Sequence, residues 1–239
     1  MRYGDLTYLE IRQKVEAGWL AVVPTGCTEQ QGPHLPVDFD TWFAEALMLA
    51  AVNRAARRGV NALVLPALPF GPTPEHRSFG SGFIDIPQAV HEALLASVLN
   101  SLAAQGFRRI VVWRGCGGHR LGGVVEAFNT KGEARAFLPT ETFYESWCRI
   151  GDPEVLGRHA DSFTTSISLY LRPKSVRREL IANPHSKPVD WDDPDLDFAD
   201  SSDTGVIGDP THSSVALGER LWEDVVAKAA QMLVEVAAT

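Results

Sequence analysis

Three short apolar runs constrain the fold most: Trp19-Leu20-Ala21-Val22-Val23-Pro24, Ala62-Leu63-Val64-Leu65-Pro66 and Arg109-Ile110-Val111-Val112-Trp113. Runs of this length without polar alternation read as strands buried on both faces. Helix-length segments separate them, one over about 41–58 ending near Gly59 and one over about 87–105 ending at Gly106. The order strand, helix, strand, helix, strand requires right-handed crossovers, and these build a parallel sheet.

The remaining segments fit around that unit. Residues 5–17 read as an amphipathic helix opened by Asp5 or Thr7, and residues 69–83 hold too much proline and glycine for regular structure. A helix through about Thr130 follows the third strand, with a further strand near 134–138 and a helical segment near 143–149. Residues 157–162 open another helix, capped by Asp161 or Ser162. Residues 184–204 are acidic and lack periodicity, the pattern of a surface excursion, interface arm or lid. A closing helix over about 215–237 should cover the sheet with Leu217, Leu221, Val225, Ala229 and Leu233. The expectation is one α/β domain over residues 1–239, three layers deep, with a mostly parallel sheet flanked by helices.

Charge and cysteine usage exclude several function classes. With 30 acidic against 22 basic residues the formal net charge is -8, which disfavours a nucleic-acid or anionic-membrane surface and leaves a small-molecule substrate. Three cysteines make no disulfide framework, the N-terminus has no signal-peptide core, and no apolar run reaches membrane length. A cytoplasmic protein is expected.

Chemistry concentrates in the loop after the first strand. Residues 25–40 hold Glu29, Asp38, Asp40, His34, Cys27 and two prolines, at the strand end where open α/β sheets place their ligands. Within it, Glu29-Gln30-Gln31-Gly32-Pro33-His34-Leu35-Pro36, with Asp40 and Thr41 after it, resembles the creatininase (creatinine amidohydrolase) signature Glu-Gln-His-Gly-Pro-His-Leu-Pro followed by Thr-Asp. Arg114-Gly115-Cys116-Gly117-Gly118-His119 falls where that family commonly has Asn-Gly-His-Gly-Gly-Asn. His159-Ala160-Asp161-Ser162-Phe163-Thr164-Thr165-Ser166 resembles His-Ala-Gly-Glu-X-Glu-Thr-Ser, and Gly205-Val206-Ile207-Gly208-Asp209-Pro210 resembles Gly-Val-X-Gly-Asp-Pro.

The resemblance implies a site of two divalent metals, usually zinc, that generate hydroxide and polarise an amide carbonyl. This chain keeps Glu29 and Asp40 but carries Gln31 and Cys116 where the family has metal-binding histidines, and Ser162 and Thr164 where it has acids. The metal set so implied is Glu29, Asp40 and Cys116, holding at most one ion, with zinc the leading candidate. The catalytic candidates are Glu29, His159 and Cys116. Gln31, Gly117, Gly118, His119, Arg114 and Asp161 are expected at the substrate. The resemblance also implies a homo-oligomer, perhaps six-fold.

Each residue has a plainer reading beside the chemical one. Glu29 and Asp40 could brace loop amides, and Cys116 could fill space, although its place before a helix start should lower its pKa. His34 reads as a loop brace, Cys27 and Cys148 as structural, and His76 as a minor candidate. Three functions follow. The first is hydrolysis of a C–N bond in an amide, cyclic amide or formamide of a small polar metabolite, with one metal or none. The second is a metal-free lyase, isomerase or thiol enzyme, and the third an inactive homologue that binds a ligand or partner. Arginines 77, 114, 120 and 158 near the expected pocket rim point to an anionic ligand.

Overall fold

The computed structural model describes residues 1–132, 134–139 and 143–239. Its strands are β1 (Leu20–Thr25), β2 (Ala62–Val64), β3 (Arg109–Arg114) and β4 (Arg135–Phe137). Among the described residues they form one sheet in the order β2-β1-β3-β4, with every pairing parallel. The helices are α1 (Tyr8–Glu16), α2 (Phe39–Ala56), α3 (Gln88–Ala104), α4 (Gly122–Asn129), α5 (Phe143–Ile150), α6 (Ser162–Leu171) and α7 (Val215–Ala238).

Alternate residues of each strand divide the core into two layers, because successive side chains point to opposite faces. Leu20, Val22, Val111 and Trp113 pack with α2, α5, α6 and α7, whereas Ala21, Val23, Ile110 and Val112 pack with α3 and α4. The result is the expected three-layer α/β arrangement. None of the described helices is long and apolar enough to cross a membrane.

Several boundaries differ from the sequence expectation, for local reasons. The second helix begins at Phe39 rather than near residue 41, because Phe39 stacks on Phe43, with 5.3 Å between ring centroids. Asp40 therefore lies in the first helical turn and not in the loop. Residues 69–83 are not wholly irregular: Pro74–Phe79 form a 3-10 helix, started by proline in the first turn and ended by Gly80 in the left-handed region. At α1 the structure takes Thr7, one of the two caps the sequence offers, in a capping box with Glu10.

Candidate active site

The helices that follow β1 and β3 leave for opposite faces of the sheet, so a crevice opens between the carboxyl ends of these two strands. Backbone closes its floor: Gly115 donates its N–H to the Thr25 carbonyl at 2.9 Å, and a Cβ at Gly115 would sit 2.3 Å from that oxygen. The loop after β1 brings Glu29 to this point, the loop after β3 brings Cys116, and the first turn of α2 brings Asp40.

Glu29 is the centre of the arrangement. Its Oε1 accepts from Gln31 Nε2 at 3.1 Å and lies 3.4 Å from His159 Nε2. Its Oε2 lies 3.0 Å from Cys27 Sγ, 3.3 Å from His76 Nε2 and 3.7 Å from Cys116 Sγ. Cys27 Sγ also lies 2.9 Å from Asp40 Oδ2. Burial works against the Glu29 charge, yet His76 and His159 outweigh it and hold Glu29 well below the usual carboxylate range. Asp40 moves the other way: burial, and then the Glu29 charge, push it well above that range. The two carboxyls are thus driven in opposite directions, Glu29 toward the ionised form and Asp40 toward the protonated one.

The hydrogen-bond network also fixes how the two histidines face Glu29. The Gln30 amide is oriented at both ends, its Oε1 accepting from Gly32 N at 2.8 Å and its Nε2 donating to the Gly205 carbonyl at 3.3 Å. That same Nε2 meets His76 Nδ1 at 3.0 Å, so Nδ1 accepts and the ring's N–H is on Nε2, aimed at Glu29. His159 donates its Nδ1–H to the Gly205 carbonyl at 2.7 Å, which turns its Nε2 toward Glu29 Oε1 at 3.4 Å. Gly205 holds this pivot at φ +74°, and a Cβ there would come within 2.1 Å of the Gln30 amide.

Above this floor lies a cavity of about 740 Å³. Glu29, Gln31, Asp40, Cys116, Gly117, Gly118, Arg114, His159 and Asp161 all line it. Aromatic walls come from α2 and α5 and from Trp191 and Phe198 of the 184–204 segment, which is therefore part of the pocket wall. His119, expected at the substrate, is absent from the lining. It is fully buried against His91, at 4.4 Å between rings, and burial takes its pKa down to about 3. Asp161 lines the cavity, but its carboxylate is taken up by four backbone N–H groups, those of Gly157, Arg158, Phe163 and Thr164. It caps α6 and leaves no oxygen free for a substrate.

Cys116 also departs from expectation. Its contact with Cys27 lowers the thiol pKa, but burial and the carboxylates of Glu29, Asp40 and Glu75 outweigh that and push it up to about 12. Helix α4 starts only at Gly122, too far along the chain for its free amides to activate the sulfur. Cys27 was expected to be structural, yet it touches both carboxylates. His76 was expected to be minor, yet it contacts Glu29 from a 3-10 helix remote in sequence. Its signal was available in Thr73-Pro74-Glu75-His76, a proline-started turn that rigidly presents a histidine. His34 behaves as a brace, joining the loop to α6 through Thr165 Oγ1 at 2.8 Å.

Among the described residues three metal-competent groups overlap here: Cys27, Glu29, Asp40 and Cys116; Cys27, Cys116 and His119; and Glu29, His76 and His159. In each, the ligand atoms lie within 4.8 Å of one another.

Comparison with known proteins places this geometry in context. Residues 4–233 match the family described as creatininase, creatinine amidohydrolase. A mycofactocin precursor peptide peptidase from Mycolicibacterium smegmatis is 31% identical over 213 residues, covering 87% of this chain and 81% of the relative. The creatinine amidohydrolase of Pseudomonas putida is 25% identical over 242 residues, covering 92% of this chain and 91% of the relative. Among solved structures, a manganese form of creatininase superposes with a TM-score of 0.83 at 22% identity, covering 98% of this chain and 97% of that one.

Proposed function

The chain belongs to the creatininase family and is a hydrolase of that family, and from that premise we propose that it cleaves a C–N bond of a short peptide or acylated amino acid at the Glu29 centre. The observation that carries the proposal is the opposed pair of histidines on one buried carboxylate. His76 Nε2 and His159 Nε2 face the two oxygens of Glu29 at 3.3 and 3.4 Å, and His159 also lines the cavity. His159 can take a proton from an attacking water and return it to the leaving nitrogen, while Glu29 stabilises the imidazolium formed in between. The cavity of about 740 Å³, with aromatic side chains among its walls, suits a peptide better than a small ring compound. Relatives named as peptide peptidases support the same choice.

Creatininase structures in manganese and zinc forms raise the question of a metal here. The donor set fits one ion. Two sulfurs and two carboxylates converge within 4.8 Å, and thiolate and carboxylate are both zinc ligands. Cys27, Glu29, Asp40 and Cys116 would hold it, and when bound it supplies Lewis-acid polarisation and a more acidic water. The third group does not repeat this pattern, because the His76 Nε2–H faces Glu29 as a donor.

The test is mass spectrometry of a defined mixture of N-acetylated tripeptides after incubation with the protein. New amino termini should appear, and Glu29→Gln should slow their formation at least about 100-fold. Absence of products with the wild type, or undiminished turnover in Glu29→Gln, would contradict the proposal.

A further inference from the structure

The residue before His159 has no part in the chemistry above, yet it is held as firmly. Arg158 has a φ of +74° and Ala160 a φ of +52°, so two residues other than glycine adopt the left-handed region on either side of His159. Such conformations are costly for residues with a Cβ and persist only where the surroundings impose them. Here the surroundings are explicit. Asp161 accepts the N–H of both Gly157 and Arg158, Gly157 is pressed against Ile207, and His159 and Ile207 exchange backbone hydrogen bonds.

The turn sends His159 inward to Glu29 and Arg158 to the cavity wall. There the guanidinium meets two rings, with its Cζ 4.3 Å from the Tyr144 centroid and 5.6 Å from the Trp191 centroid. Stacking occupies the faces of a guanidinium and leaves its in-plane N–H fork open. Among the described residues no carboxylate lies within ion-pair distance of it, although Asp192 and Asp193 line the same cavity. An exposed arginine one residue from His159, held over two rings and without a carboxylate partner among the described residues, suits a planar anion.

We propose that Arg158, clamped by Tyr144 and Trp191, binds the free α-carboxylate of the substrate, so that a peptide is cleaved near its carboxyl terminus. The orientation rests on the hydrolase reading; the carboxylate subsite does not. Binding and cleavage are therefore measured separately. Tryptophan fluorescence titrations with N-acetylphenylalanine and N-acetylphenylalaninamide should show the acid binding about tenfold tighter to the wild type, the size expected of one charge-assisted contact. In Arg158→Gln that preference should vanish while amide affinity stays unchanged. Arg158→Lys should recover only part of it, since an ammonium offers no fork. Equal affinities for acid and amide in the wild type, binding of neither, or a preference that survives in Arg158→Gln would overturn the proposal. So would inorganic phosphate competing more strongly than the acid, which would assign the fork to a phosphate. Cleavage of free and amidated tripeptides at equal rates would leave the hydrolase standing and remove the carboxylate subsite. A carboxylate preference without any cleavage would do the reverse.

Discussion

Side chains at the site owe their states to partners that are distant in sequence. Glu29 is held toward the ionised form by His76 and His159 against its own burial, and burial with the Glu29 charge beside it drives Asp40 toward the protonated form. His34 shows the same dependence outside the catalytic group. Burial lowers its pKa to about 4, and the neutral ring bonds Thr165. Since the folded value lies below the unfolded value of about 6.5, the unfolded chain binds more protons between these pH values. The His34 contribution to stability is thus complete above about pH 6.5 and is lost as pH falls toward 4. In urea melts the stability gap between wild type and His34→Gln should shrink on acidification across that window; a constant gap would show that the ring does not stay neutral. Glu29 and Asp40 were legible in the sequence as part of one motif. Cys27 and His76 were not, because their importance lies in which oxygen they touch, and a residue two places before Glu29 looks the same whether it packs or coordinates.

At the scale of elements, strand and helix order was readable from apolar runs, whereas the turns that aim the side chains were not. Helix α6 illustrates this. The sequence offered Asp161 and Ser162 as caps, and the structure chooses Asp161, whose second oxygen also restrains the strained turn at Arg158. Ser162 instead donates to the Asp209 carbonyl. Asp161→Ala should lower stability by about 2 kcal/mol, the upper range for a lost cap, and should also reduce turnover by releasing His159. Asp161→Asn, which still caps, should lose less of both. An unfolding midpoint unchanged in Asp161→Ala would contradict the assignment. The early start of α2 matters in the same way, since it moves Asp40 from a free loop into a helical first turn where its position is fixed.

Across the whole molecule, the order β2-β1-β3-β4 explains why distant motifs meet. The chain runs outward from β1 to β2, then crosses back to place β3 on the other side of β1, so the loops carrying Glu29 and Cys116 share one crevice. The three-layer fold was legible because it follows from the order of elements. The ligand set was less so, because two sulfurs and two carboxylates come from three separate elements. The proposal that this set holds one ion is the central one. It is tested most directly by elemental mass spectrometry on protein purified without chelator or affinity-tag metal, wild type beside Cys27→Ser and Cys116→Ser. The account predicts about one zinc per chain in the wild type and loss of most of it in both variants, since each removes one of four ligands. No metal in the wild type, or full zinc in Cys27→Ser and Cys116→Ser, would contradict it.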